Sequence, residues 1–146
     1  MIDLIATAAI FMAAMNIHEL GHLLEARRRG ARIGYVGWVL LPGLLLLAGS
    51  EARTRFQIGL PKTVWGGPHL TIEDEVRIYR TGPAMALAVA VLLVPLLYLY
   101  FTPWVFALAA ACAGAGVFPL LGIGTESDGA QIRALKRTMK STGEER

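Results

Sequence analysis

Residues 17–23 read Ile-His-Glu-Leu-Gly-His-Leu, with two histidines four positions apart and a glutamate directly after the first. On an α-helix, residues i and i+4 share one face, so His18 and His22 can bind a single metal ion together. Glu19 lies beside the first ligand, where it can accept a proton from a water molecule on that metal. The spacing therefore predicts a zinc hydrolase centre, with His18 and His22 as ligands and Glu19 as the general base.

The alternative is a pair of structural histidines, which cap a helix or fill a core. That reading has to explain an ionisable cluster next to an apolar stretch that is long enough to enter a membrane. Charged and titratable groups are costly in such a setting and usually serve a function. The metal interpretation is therefore favoured.

A third protein ligand is expected, because catalytic zinc takes three protein ligands and keeps one position open. The sequence offers His69, the acidic residues 73–75 and Asp128. Two glycines precede Asp128, which indicates a helix break where a carboxylate could meet the first helix. Asp128 could equally be the N-cap of the helix that follows it, and the spacing leaves both roles open.

Three segments, at about 4–26, 83–100 and 103–121, approach the roughly twenty apolar residues that cross a bilayer. The 146-residue chain is 55% hydrophobic and only 17% charged, against about a quarter in soluble domains. Only residues 101–102 join the second and third segments, which predicts an antiparallel hairpin. The first lysine or arginine is Arg27, so the first segment is predicted to be a span and not a signal peptide. Cys112 is predicted to be a small buried hydrophobic residue.

Residues 27–81 are predicted to form a small β-rich loop at the membrane face. Residues 32–41 and 55–60 are strand-prone, and residues 39–48 are too short an apolar run to span. A Gly/Pro-rich turn is expected at 66–68, and the acidic residues 73–75 are expected in a loop outside the membrane. The predicted fold class is therefore that of a mainly α membrane protein, with three transmembrane helices and a β-rich loop between the first two. Residues 1–146 are predicted to form one domain.

The positive charges predict an orientation. Nine of the 14 lysines and arginines lie at positions 27–80 and the other five at positions 133–146. The positive-inside rule then places the N-terminus outside, the long loop inside and the C-terminus in the cytoplasm. A basic amphipathic helix is expected at 130–140. These charges favour contact with the lipid bilayer and exclude a nucleic-acid partner.

The order of these features resembles the site-2 protease family of intramembrane zinc metalloproteases. A membrane-embedded His-Glu-x-x-His comes first, then a β-rich loop, then Gly82-Pro83 opening a helix, then Asp128-Gly129 after the third span. The resemblance covers nearly the whole chain, as the minimal three-helix core of that family. It implies one Zn²⁺ per chain, with His18, His22 and Asp128 as ligands and Glu19 as the general base.

The resemblance also implies cleavage of a membrane protein or peptide segment. High alanine and arginine usage favours a prokaryotic plasma membrane. Expected substrates are a transcription-factor precursor, an anti-sigma factor or a signal-peptide remnant, with control by a separate regulatory partner. Residues 33–41 are expected to capture the unwound substrate as an added strand. Oligomeric state is not indicated by the sequence.

Two alternatives to a protease remain. Many family members carry an asparagine soon after the Gly-Pro pair and a proline shortly before the Asp-Gly pair, and residues 84–87 and 124–127 have neither. That departure favours a non-catalytic relative that binds zinc or acts as a scaffold. A metal transporter or membrane chaperone is the other alternative, but residues 84–123 contain no Asp, Glu, Lys, Arg or His that could line a conduit.

Overall fold

The computed structural model describes residues 2–37, 53–55, 62–67, 69–99, 102–123 and 127–142. Four helices and three short strands occur in this part of the chain. In chain order they are α1 (Ile2–Arg28), β1 (Arg32–Gly37), β2 (Arg53–Arg55), β3 (Lys62–Gly66), α2 (Ile72–Leu99), α3 (Pro103–Leu121) and α4 (Asp128–Thr142).

The helices α1, α2 and α3 are each long and apolar enough to cross a membrane. Their outward faces carry large apolar side chains: Val91, Leu92 and Tyr98 of α2 are 68%, 71% and 91% exposed. A soluble surface rarely shows so many, whereas a bilayer would cover them. The predicted mainly helical fold, with three helices long and apolar enough to span a membrane, is confirmed among the described residues.

The helix α2 begins at Ile72, well before the predicted start at residue 83. Thr71 and Asp74 form a reciprocal cap, in which the Asp74 amide donates to Thr71 Oγ1 at 3.1 Å and the Thr71 amide donates to Asp74 Oδ2 at 3.2 Å. The acidic residues 73–75 therefore lie in the first turn of α2, and their prediction as a loop is wrong. The error came from Gly82-Pro83, which is typical of a helix start but here lies inside the helix.

The three strands form a sheet in the order β2-β1-β3, with β1 parallel to β2 and antiparallel to β3. The predicted strand 32–41 matches β1 up to Gly37, and the rest of it lies outside the described residues, as do 39–48 and 56–60. At Tyr35–Gly37 the strand β1 is paired on both sides. That part of β1 has no free edge for an added strand, and residues 38–41 of the predicted capture segment lie outside the described residues, so substrate capture by this segment stays a prediction.

Two buried clusters hold these elements together. One joins the C-terminal end of α1 and the N-terminal part of α2 to the sheet. It consists of Leu23, Ala26, Ile33 and Ile78. The other lies between the three spanning helices and consists of Ala14, Ala86, Cys112 and Ala115. Cys112 is a free, buried cysteine, as predicted. The second cluster is made of small side chains, which let spanning helices approach closely.

Glycines mark the closest helix contacts. A methyl group on Gly21 of α1 would overlap the backbone of Thr81 in α2, and one on Gly116 of α3 would lie 2.9 Å from the carbonyl oxygen of Pro83. Gly114 has only the Phe118 ring nearby, at 3.5 Å from the methyl position. Gly116 therefore lets α3 lie close to α2, whereas Gly114 meets only a side chain of its own helix.

The corner between α3 and α4 is also built on glycines. Gly122 ends α3 in the left-handed conformation (φ 70°), and Arg133 Nη2 donates to its carbonyl oxygen at 2.8 Å. Gly129 packs directly on the Leu120 carbonyl. The helix α4 starts at Asp128, two residues before the predicted start, and the Ser127 carbonyl accepts its first amide, from Gln131, at 3.0 Å.

Candidate metal centre

The side chains of His18, His22 and Asp128 meet inside the helix bundle. Both imidazoles are almost fully buried, at 3% and 2% exposure, and their Nε2 atoms are 3.1 Å apart. Asp128 reaches them from the first turn of α4, with Oδ2 at 3.0 Å from His18 Nε2 and Oδ1 at 3.4 Å from His22 Nε2. Two ring nitrogens and one carboxylate thus surround a single point.

The backbone fixes which ring nitrogen faces that point. His18 Nδ1 lies 2.8 Å from the carbonyl oxygen of Ala115 in α3, and His22 Nδ1 lies 2.7 Å from the carbonyl oxygen of Ile78 in α2. A carbonyl oxygen can only accept a hydrogen bond, so each Nδ1 must carry the proton. In the neutral imidazoles both Nε2 atoms therefore present lone pairs to one another and to Asp128.

The two Nε2 atoms and the Asp128 carboxylate are thus three hydrogen-bond acceptors that face one another with no donor between them. Asp128 Oδ2 is buried and accepts no hydrogen bond from the described residues. Burial raises the pKa of Asp128, but hydrogen bonds and positive charge from the two imidazoles, when these carry a proton on Nε2, lower it more strongly, to about 2. Asp128 therefore stays a carboxylate even where the imidazoles are protonated. Protonation of the imidazoles on Nε2 would supply donors to the carboxylate. A metal ion at the point of convergence would instead accept an electron pair from all three groups at once.

Glu19 lies on the same side of α1. One carboxylate oxygen of Glu19 and one ring nitrogen from each of His18 and His22 all lie within 4.8 Å of one another, and this group could hold a metal ion. The side chain of Glu19 is partly exposed, unlike the two histidines. It is therefore within one water molecule of the site and also reachable from outside it.

The structure places the other candidate third ligands elsewhere. His69 is exposed in the turn before α2. Asp74 caps α2 and accepts from Arg29 Nη1 at 2.9 Å, which ties the start of α2 to the end of α1. As for the cap alternative, Ser127 precedes the first helical residue of α4, and the carboxylate of Asp128 points to the histidines.

Sequence reasoning missed the groups that hold His22 in place. Gly82 lies against the imidazole so closely that a methyl group there would overlap the ring. On the sheet side, the rings of Trp65 and Tyr79 lie 5.4 and 6.3 Å from the His22 ring, and 5.0 Å from each other. The Gly82-Pro83 pair in the sequence could have indicated the close contact with His22. Nothing in the sequence indicated that Trp65 and Tyr79 lie beside this histidine.

Comparisons of the chain with protein-family models, with curated proteins and with solved structures return no match. What defines the protein is therefore its own geometry: three helices fit to span a membrane, and a His-Glu-His group on the first that could hold a metal ion.

Proposed function

We propose that this protein is a zinc-dependent intramembrane endopeptidase of the site-2 protease type. The single observation that carries the proposal is the convergence of the two Nε2 atoms and the Asp128 carboxylate on one point, with Nδ1 of each imidazole held by a backbone carbonyl. Metal-binding histidines usually donate their second ring N–H to such an acceptor, which fixes the tautomer and the ring orientation.

The donor set fits zinc. Two imidazole nitrogens and one carboxylate are the protein ligands of one class of catalytic zinc site, with a further position left open. The side chains of His18, His22 and Asp128 would hold the ion, and the charge of Asp128 would offset part of its charge. When bound there, zinc would supply Lewis-acid polarisation of a carbonyl and a nucleophile at neutral pH.

The rest of the chemistry is assigned to Glu19. Its carboxylate would accept the proton of the attacking water and then deliver that proton to the amine that leaves. The partial exposure of Glu19 supports this role, since the group has to meet both the site and the substrate. The alternative function, a zinc-binding scaffold, needs no such exchange of protons.

The substrate class follows from where the site lies. His22 is six residues and His18 ten residues from Arg28, where α1 ends, so they lie about 9 and 15 Å along the helix from that end. A peptide bond that reaches this depth belongs to a membrane-embedded or membrane-adjacent segment. We propose a prokaryotic plasma membrane, with the N-terminus outside and the basic helix α4 in the cytoplasm.

Zinc content and cleavage test the proposal together. Zinc per chain is measured by elemental analysis of detergent-purified wild type, Glu19→Gln and Asp128→Ala. Cleavage is read as new N termini in the membrane fraction of cells that express each form. We expect one zinc in wild type and in Glu19→Gln, none in Asp128→Ala, and new N termini with wild type alone.

Two matched controls separate the site from its surroundings. Glu25→Gln changes a second glutamate on α1, which pairs with Arg29, and His69→Ala removes the exposed histidine. Both should keep zinc and cleavage. Zinc without new N termini in wild type would favour the non-catalytic relative, and wild type that takes up no zinc would refute the metal centre.

A further inference from the structure

The carbonyl oxygen that orients His18 belongs to a residue with an unusual position in its helix. In an α-helix, the carbonyl of residue i accepts the amide N–H of residue i+4. For Ala115 that residue is Pro119, which lies inside α3 and has no N–H. The Ala115 carbonyl therefore cannot make its ordinary helical hydrogen bond.

Within a spanning helix such a carbonyl needs another donor, because the bilayer offers none. Here the donor is the Nδ1–H of His18, at 2.8 Å and 97 positions away along the chain. The contact is buried, and Gly116, the next residue of α3, packs directly against Pro83 and Leu87 of α2.

We infer that Pro119 is a positioning residue for the metal centre: by removing the helical donor to Ala115, it makes that carbonyl available to His18 and so directs His18 Nε2 to the metal. The inference rests on the proposed metal centre and goes beyond it, since Pro119 itself touches neither the ion nor the substrate. His22 does not depend on it, because Ile78 supplies the matching carbonyl from α2.

The substitution Pro119→Ala gives α3 back an amide N–H four residues after Ala115. That N–H competes with His18 for the carbonyl, so His18 loses the bond that fixes its tautomer. Loss of such a partner typically weakens metal binding about 10- to 100-fold. The helix itself should gain, because alanine is far better than proline inside a helix.

The two effects have opposite signs, which separates positioning from packing. We expect the zinc Kd, measured by chelator competition in detergent, to rise 10- to 100-fold while the thermal unfolding midpoint of the metal-free protein stays at or above that of wild type. Pro95→Ala is the matched control: it makes the same change inside α2, where residue i−4 is Val91, an exposed side chain far from the site in sequence. Its zinc Kd should be that of wild type.

The tautomer of each histidine is a second readout, and it can be measured without cleavage and without zinc binding. The chain has three histidines, so the ¹⁵N spectrum of histidine-labelled, metal-free protein at pH 8.5 resolves each tautomer. In wild type, His18 and His22 should both carry the proton on Nδ1. In Pro119→Ala only His18 should change to a mixture, with His22 as the internal control.

An unchanged zinc Kd in Pro119→Ala, or an unprotonated Nδ1 on His18 in wild type, would overturn the inference while leaving the metal centre intact. A fall in both zinc affinity and unfolding midpoint, larger than for Pro95→Ala, would mean that Pro119 acts through packing and would overturn it as well. Wild type that binds no zinc at all would instead refute the proposed function.

Discussion

The contact between Gly82 and His22 gives the sharpest prediction. A methyl group on Gly82 would lie 2.8 Å from His22 Cδ2 and closer still to Nε2 and Cε1. Carbon atoms in contact prefer about 3.5 to 4.0 Å, so the Gly82→Ala substitution should displace the ring by at least about 0.7 Å. The ring cannot turn away freely, since its Nδ1 is held by the Ile78 carbonyl at 2.7 Å.

This displacement exceeds the tolerance of a metal centre. Ligand distances in zinc sites hold to within about 0.2 Å, so a shift several times larger should cost at least 10- to 100-fold in zinc affinity. At about 1.4 kcal/mol per factor of ten, the loss is about 1.4 to 2.8 kcal/mol of binding free energy. The assay is the zinc Kd of the purified protein, measured by competition with a chromophoric chelator in detergent.

Gly114→Ala is the control for this experiment. It adds the same methyl group to another spanning helix, but the nearest atoms are those of the Phe118 ring at 3.5 and 3.6 Å, an ordinary contact. Its zinc Kd should equal that of wild type. If Gly82→Ala binds zinc as wild type does, or if both variants lose it equally, the packing argument for His22 is refuted.

Three further predictions concern protons, the α3–α4 corner and helix packing. Zinc Kd should rise as pH falls from 7.5 to 5.5, by at most about 100-fold per pH unit, because both imidazoles must lose a proton to bind the metal, while Asp128, with its pKa lowered to about 2, stays ionised. A Kd that does not change over this range would contradict histidine ligation. Arg133→Gln removes the bond to the Gly122 carbonyl and should weaken zinc binding about 10-fold, with exposed Arg137→Gln as an unaffected control. Gly21→Ala should lower the free energy of unfolding by about 1 to 3 kcal/mol in a thermal melt, since its methyl group would overlap the α2 backbone; an unchanged midpoint would contradict the close α1–α2 contact.

Prediction from sequence was most successful where the signal was local. Apolar length alone located the three helices that are long and apolar enough to span a membrane, and the predicted bounds of α3 match Pro103–Leu121. It failed at α2, where Gly82-Pro83 was interpreted as a helix start. The capping pair Thr71 and Asp74 was the true start signal, but it stood among charged residues that looked like a solvated loop.

The candidate metal centre shows the same division between local and long-range signals. The spacing of His18 and His22 places both on one face of a helix whatever the rest of the chain does, and composition places that helix among apolar spans. Asp128, however, had a cap role and a ligand role that spacing could not separate. Its side chain meets the histidines because Gly122, Gly129 and Arg133 set the corner between α3 and α4.

What the sequence determined by itself is the available chemistry: two imidazoles one helical turn apart, with acidic residues elsewhere in a chain whose three helices are long and apolar enough to span a membrane. Only the tertiary structure decided which ring nitrogens face inward and which carboxylate they meet. Those choices depend on carbonyl oxygens from α2 and α3 that reach α1 only because glycines let the three helices pack closely. A helical repeat is fixed by bonds between near neighbours in the chain, whereas a contact across 97 positions exists only once the helices have packed.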